Sequence, residues 1–329
     1  MMLVLLVHAN YLALGPVTQS EITATPWTGF VRIFCEQMCI VSVNLFVLLS
    51  GWFGIRPTFK KFSNLLFQVL FVGLLSTLAC KLSGNVVPTW SFQNLMWFGQ
   101  HYWFVPAYII LFFLSPVLNA FCEKATKREF ATTVVTFFVV EALYGWLKGD
   151  IGHYITGYSA ISFVGLYLLA QYIRRYGEKL LALKWWQSFM LYLLFTAIPA
   201  IMSYYDIWTR GSERVPSLAY NSLLVIAASA SLLLMFSRFN FASRFVNWLS
   251  ASAFAIYLVH QAPGVDRLYL DFFKESYQSM HGALFIPFAI LATAIIGFAC
   301  VLLDKLRILI WEQILRVVDK VVARRAVRG

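Results

Sequence analysis

An all-α, polytopic membrane bundle of about ten transmembrane helices is the fold class this sequence predicts, and three observations predict it. The chain is 60% hydrophobic and only 12% charged over 329 residues, too little polar surface for a soluble domain of that length. Its apolar stretches run for about 18 to 22 residues, the length a helix needs to cross a bilayer, rather than as the short alternating strands of an outer-membrane barrel. Its lysines and arginines alternate between rich and poor loops, as the positive-inside rule requires. In hydrocarbon the backbone must satisfy its own hydrogen bonds, so each crossing should be helical.

The apolar runs fall near 1–14, 38–55, 63–82, 103–122, 130–148, 155–173, 186–205, 217–237, 246–263 and 282–303. Gly15-Pro16, Arg56-Pro57, Ser83-Gly84-Asn85 and Arg214-Val215-Pro216 punctuate the breaks between them, as turn-forming residues should. With the first helix running outward from the cytosol, nineteen of the 26 lysines and arginines lie on the cytosolic side, while Arg32, Lys81, Lys148, Arg210, Arg214, Arg267 and Lys274 lie outside. Losing or merging one span would invert every sign downstream, so the census supports an even count and a cytosolic C-terminus. The net charge of +11 is thus topology, and no nucleic-acid partner is expected. The chain reads as one domain over 1–329, with 304–329 as a basic cytosolic tail. In that tail Ile308, Trp311, Leu315, Val318 and Val322 can share one helical face. The pattern fits either a helix lying on the anionic inner leaflet or an extension of the tenth span.

The first span is short. Its 14 residues reach roughly 21 Å against a hydrocarbon core of ~30 Å, and no basic residue precedes them. The expectation is that the natural protein starts further upstream; a tilted or re-entrant segment in a thinned bilayer is the alternative.

Polar groups inside the membrane are costly and so are functional candidates. His8 lies about six residues, or roughly 9 Å, below the outer end of its span. An imidazole there suits a general base, or else it bonds a neighbouring helix. Glu141 falls inside the fifth span and needs a partner or a polar cavity. Glu36 and Asn44 sit on the second span, His101 and Trp103 head the fourth, and Tyr257 and His260 close the ninth. For Glu36, His101 and His260 an interfacial packing role competes with a functional one. Gln68, Gln171 and Asn221 fit interhelical hydrogen bonding. The five cysteines form no CxxC pair or metal-ligand spacing, so they are assigned to packing. No GxSxG, HExxH, P-loop or GxGxxG pattern occurs, leaving hydrolase, zinc-protease and nucleotide-triphosphatase readings without support. A transporter or flippase of lipid-linked sugars is the rival class, but the internal repeats common in transporters are not visible.

Four motifs in order carry a family resemblance. They are Val4-Leu5-Leu6-Val7-His8-Ala9, the run Val43-Asn44-Leu45-Phe46 to Ser50-Gly51-Trp52-Phe53, His101-Tyr102-Trp103-Phe104 with Leu114-Ser115-Pro116, and Ser252-Ala253-Phe254-Ala255-Ile256-Tyr257-Leu258-Val259-His260. Together they resemble the acyltransferase 3 family of integral membrane acyltransferases over nearly the whole chain. The resemblance implies transfer of an acyl group, often acetyl, from cytosolic acyl-coenzyme A to a hydroxyl of a surface polysaccharide or other glycan. Acyl-coenzyme A is then a donor substrate, no permanently bound cofactor or metal is expected, and the setting is a bacterial plasma membrane. His8 is implied as the catalytic histidine, with Glu141 placed beside it as a further catalytic candidate. Lys60, Lys61 and Tyr257 are candidates for the donor, and Glu36, Asn44, His101, Trp103 and His260 for the acceptor. Three departures stand out. The family's arginine eleven positions before the histidine would fall upstream of Met1. Asn44 stands where an acidic residue is common, and Ser63 and Asn64 follow Lys60 and Lys61 where a second basic residue is usual. The donor for the developing oxyanion is open among that arginine, Tyr257 and a backbone amide.

Overall fold

The computed structural model describes residues 1–82, 102–146, 155–214, 217–280 and 282–326. Among them the regular structure is helical throughout, and helix stands at each of the ten apolar runs. Among the described residues five segments are long and apolar enough to cross a membrane by length and composition: Pro26–Phe53, Phe59–Leu82, Phe104–Lys124, Trp185–Arg210 and Leu284–Lys320. Met2–Leu12 and Leu223–Ser237 are shorter apolar helices. Phe113, Val117, Leu143, Ile201 and Ile295 stay exposed on the outside of the bundle, where a bilayer rather than water is the fitting solvent.

Helix α1 (Met2–Val7) widens into a π-helical turn over His8–Leu12. Gly15, at φ 77°, and Pro16 then turn the chain. A short α2 (Gln19–Ala24) starts on Thr18, whose hydroxyl accepts the Glu21 N–H at 3.3 Å. Helices α3 (Pro26–Ile40) and α4 (Ser42–Phe53) form one 28-residue span broken at Val41. The second span therefore begins at Pro26, not near residue 38. Arg32 and Glu36 mark a loop when read as free charges, but both are buried within the helix, with Arg32 paired to Glu21 of α2.

Helix α5 (Phe59–Leu82) and α6 (Phe104–Lys124) follow. In α6, Pro116 removes an N–H, and the Phe112 carbonyl instead accepts the Ser115 hydroxyl at 2.7 Å. Helix α7 (Lys127–Trp146) opens on a reciprocal Thr126–Glu129 capping pair, a recognised helix start. The Thr126 N–H and hydroxyl hold the Glu129 carboxyl below the usual carboxylate range. Helix α8 (Ala160–Tyr176), the one-turn α9 (Glu178–Leu181), α10 (Trp185–Arg210) and α11 (Leu223–Ser237) complete the middle of the chain.

The last third departs from the sequence expectation in two places. The ninth run is split into α12 (Arg244–Ser250) and α13 (Ala253–His260). Neither crosses alone, because eight residues of helix reach only about 12 Å. An amphipathic α14 (Val265–Ser279) occupies what reads as a plain loop. Helix α15 (Gly282–Ala326) runs unbroken for 45 residues, so of the two expectations for the tail the extension of the tenth span is the one that holds. Residues 304 and 307 lie within the bundle: Asp304 and Arg307 are buried and paired at 2.7 Å, with Gln68 and Asn64 of α5 bonded to them.

The main core joins α3, α4, α5, α6, α8, α11 and α13, while α1, α14 and α15 share a second cluster. A close backbone crossing is at Gly51, where a Cβ would lie 2.6 Å from the Tyr167 carbonyl oxygen and 2.9 Å from its Cα. Gln171 donates to the Gly51 carbonyl at 2.6 Å. Tyr167 receives the Ile55 N–H and donates to Asn119, which in turn donates to the Ile55 carbonyl. Small residues let membrane helices approach this way. Gly51→Ala is expected to destabilise the protein by about 1–3 kcal/mol through overpacking. Thermal unfolding in detergent measures it, and an unshifted midpoint would refute the close approach.

Candidate functional site

Two histidines far apart in sequence meet. His8 Nδ1 lies 2.8 Å from His260 Nε2, the rings 4.9 Å apart between centroids. His260 Nδ1 lies 2.6 Å from the carbonyl oxygen of Ile256, one turn back on α13. A carbonyl only accepts, so His260 Nδ1 carries a proton. In the neutral ring its Nε2 is then an acceptor. His8 Nδ1 must therefore supply the shared proton, which leaves the lone pair of His8 on Nε2. The side-chain amide of Gln261 also reaches His8 Nδ1, at 3.0 Å. With its oxygen turned inward it becomes a second acceptor for that proton. No hydrogen bond from a described residue occupies His8 Nε2. His260 is 1% exposed and sealed, whereas His8 is only partly buried. The π-helical turn begins at His8 itself, an irregularity common at functional sites.

Two cavities lie toward opposite ends of the helices carrying this pair. One, of 610 Å³, is lined by Met1, Ser50, Arg56, Lys61, Gln68 and Phe254 among others. The other, of 350 Å³, is lined by Tyr11, Thr18, Glu36, Ser212 and Glu213 over apolar walls. Met1 faces the first and Tyr11 the second, so His8 sits between them along α1, about 10 Å of helical rise from one and about 5 Å from the other.

Beside the smaller cavity a buried arginine organises the chain turn. Arg32 donates from Nη1 to both carboxylate oxygens of Glu21 at 2.7 Å, from Nε to Asn10 Oδ1 at 2.9 Å and from Nη2 to the Gly15 carbonyl at 2.9 Å. Asn10 donates back to the Arg32 carbonyl, and the Tyr277 hydroxyl donates to Glu21. Such a bidentate fork is the strong form of ion pair. Glu36 lies 4.0 Å from Arg32, beyond hydrogen-bond reach.

The remaining expected site residues are distributed as follows. Lys61 lines the larger cavity and donates to the Arg56 carbonyl, while Lys60 is exposed and outside that lining. Tyr257 is buried one turn before His260, their ring centroids 6.1 Å apart. Asn44 donates to the Tyr220 carbonyl at 2.7 Å, and Trp103 packs on Tyr220, Tyr158 and Phe163, so these two share one aromatic cluster. Glu141 accepts the Ser162 hydroxyl between α7 and α8, a helix pair that carries none of the residues touching His8. His101 lies outside the described residues. Gln68 and Gln171 do bond across helices. Sequence reasoning missed Asn10, Glu21, Arg32, Arg56, Glu213 and Gln261. The only local signal was Arg32 four residues before Glu36 in an apolar stretch, the spacing of a helical ion pair. Among the described residues no cluster of metal-ligating side chains occurs.

Residues 1–303 match the acyltransferase 3 family model, described as an acyltransferase domain. No curated protein and no solved structure gives a significant match. With more than nine-tenths of its length inside the match and a helical bundle for its fold, the chain belongs to the acyltransferase 3 family of membrane acyltransferases.

Proposed function

We propose that this acyltransferase carries an acetyl group from cytosolic acetyl-coenzyme A to a glycan hydroxyl on the outer side of a bacterial plasma membrane, with His8 as general base. The observation that supports the reading is that His8, whose hydrogen bonds to described residues all run through Nδ1, lies along α1 between Met1, which lines one cavity, and Tyr11, which lines the other. The larger cavity takes the donor. Its rim has Arg56 and Lys61, cations suited to the phosphates of the coenzyme, and the slender pantetheine arm passes inward toward His8. The smaller cavity takes the acceptor. The positive-inside distribution of lysine and arginine supports this orientation, with the C-terminus cytosolic.

The chemistry follows from the histidine pair. His8 Nε2 removes the acceptor hydroxyl proton as that oxygen attacks the thioester carbonyl. The tetrahedral intermediate collapses by breaking the C–S bond, and the proton held on His8 passes to the departing sulfur, giving an ester and free coenzyme. His260 keeps the His8 Nδ1 proton fixed, which holds the reactive lone pair on Nε2 in every cycle.

The test uses inside-out vesicles from cells that express the protein from its natural locus, given acetyl-labelled coenzyme A. Label should appear in glycan inside the vesicles and be released by mild alkali, as an O-ester is and an amide is not. Label that stays on the coenzyme in vesicles retaining the protein and its glycan would refute the proposal.

A further inference from the structure

The smaller cavity has a distinctive charge pattern. Among the described residues its lining includes two carboxylates, Glu36 and Glu213, and no lysine or arginine. Glu36 is 5% exposed, and its Oε1 has no hydrogen-bond partner although it borders the cavity. Glu213 is exposed and held in place by Ser217, through its N–H at 3.1 Å and its hydroxyl at 2.9 Å, and by the Ser203 hydroxyl. The nearby cations are committed elsewhere. Arg32 is taken up by Glu21, Asn10 and the Gly15 carbonyl, and Arg210 and Arg214 pair with Asp206 at 3.8 and 3.5 Å. A buried oxygen without a partner costs free energy until a ligand donor reaches it, so the cavity is built to receive hydroxyl or amine hydrogens. An acidic group placed there meets like charge at Glu36 and Glu213, and such juxtaposition is the usual device for rejecting a wrong partner.

We propose that this cavity selects the acceptor by charge: it takes a sugar unit that is neutral or carries an amine, and excludes units bearing a carboxylate or phosphate. The inference rests on the acyltransferase reading above for calling the ligand an acceptor. Glu36 is the buried contact and Glu213 the rim contact, and Tyr11, Thr18 and Ser212 supply hydroxyls around them.

Binding is tested apart from catalysis. The detergent-solubilised protein, without acyl donor, is titrated with the methyl glycosides of glucose, glucosamine and glucuronic acid, followed by saturation-transfer NMR. The glucose and glucosamine glycosides should bind at least about tenfold more tightly than the glucuronide at low salt. Glu36→Gln and Glu213→Gln should each narrow that ratio. The exposed position of Glu213 keeps the second variant informative should the first fail to fold. Equal or tighter binding of the glucuronide, no binding of any of the three, or a preference untouched by either substitution would overturn the proposal. Selective binding in a protein that moves no label from acetyl-coenzyme A would leave charge selection standing and remove the acyltransfer reading instead.

Discussion

His8→Ala should leave the protein folded and inserted while lowering acyl transfer by about 10²- to 10⁴-fold, the usual contribution of a positioned general base. The ring contributes little else that is irreplaceable: it is only partly buried, and its recorded hydrogen bonds all run through Nδ1. The partner substitution separates chemistry from packing. His260→Ala removes the acceptor that fixes the His8 tautomer, and the rate should fall by about 10²-fold even though His8 is intact, since a base with its proton on the wrong nitrogen is lost to catalysis. His260→Gln offers a side-chain oxygen where Nε2 stood and should recover part of that loss. A merely structural histidine would not show such recovery. Initial rates of labelled ester formation, normalised to protein in the membrane, provide the measurement. Activity within tenfold of the unaltered protein for His8→Ala would remove His8 from the proposed role.

Much of this was written locally in the chain. Apolar run length marks a helix because the bilayer leaves no other solution for the backbone, and helix stands at each run. Span limits were less legible wherever a charge lies inside a helix. Arg32 and Glu36 look like a loop in isolation, yet they lie in the middle of Pro26–Ile40 because Glu21 and Asn10 neutralise and bond Arg32 from another segment. The break in the ninth run at Ala251 and Ser252 is equally hidden, since Ala253–His260 reads as apolar helix whether or not it continues backward. The site was legible as two separate histidines. Their meeting was not, because 252 positions separate them and only tertiary structure closes that distance. Glu141 shows the opposite case: a carboxylate in an apolar run reads as chemistry, and its partner proves to be a serine at the start of the next long helix.

Arg32→Ala should be the most damaging substitution for stability, at about 3–5 kcal/mol, because it strands the half-buried Glu21 carboxylate rather than merely removing a contact. The arginine side chain is 3% exposed and that of Glu21 19%, so water does little to replace the lost partner. Four groups lose the arginine donor together: both Glu21 oxygens, of which Oε1 keeps only the Tyr277 hydroxyl, the Asn10 amide oxygen and the Gly15 carbonyl. Asn10 lies two residues after His8 inside the π-helical turn, and Gly15 closes the segment that follows. Loss of the fork should therefore loosen the turn that aims His8, and activity should fall with stability. Arg32→Lys keeps the charge but cannot span both carboxylate oxygens and Asn10 at once, so it should fall between the two. Adding Glu21→Ala to Arg32→Ala removes the stranded charge, and the double variant should be less damaged than the sum of the single ones. Thermal unfolding in detergent and the yield of membrane-inserted protein report the outcome. Strict additivity would mean that Arg32 and Glu21 are not coupled, and the chain turn beside His8 would then have to be held by something other than this ion pair.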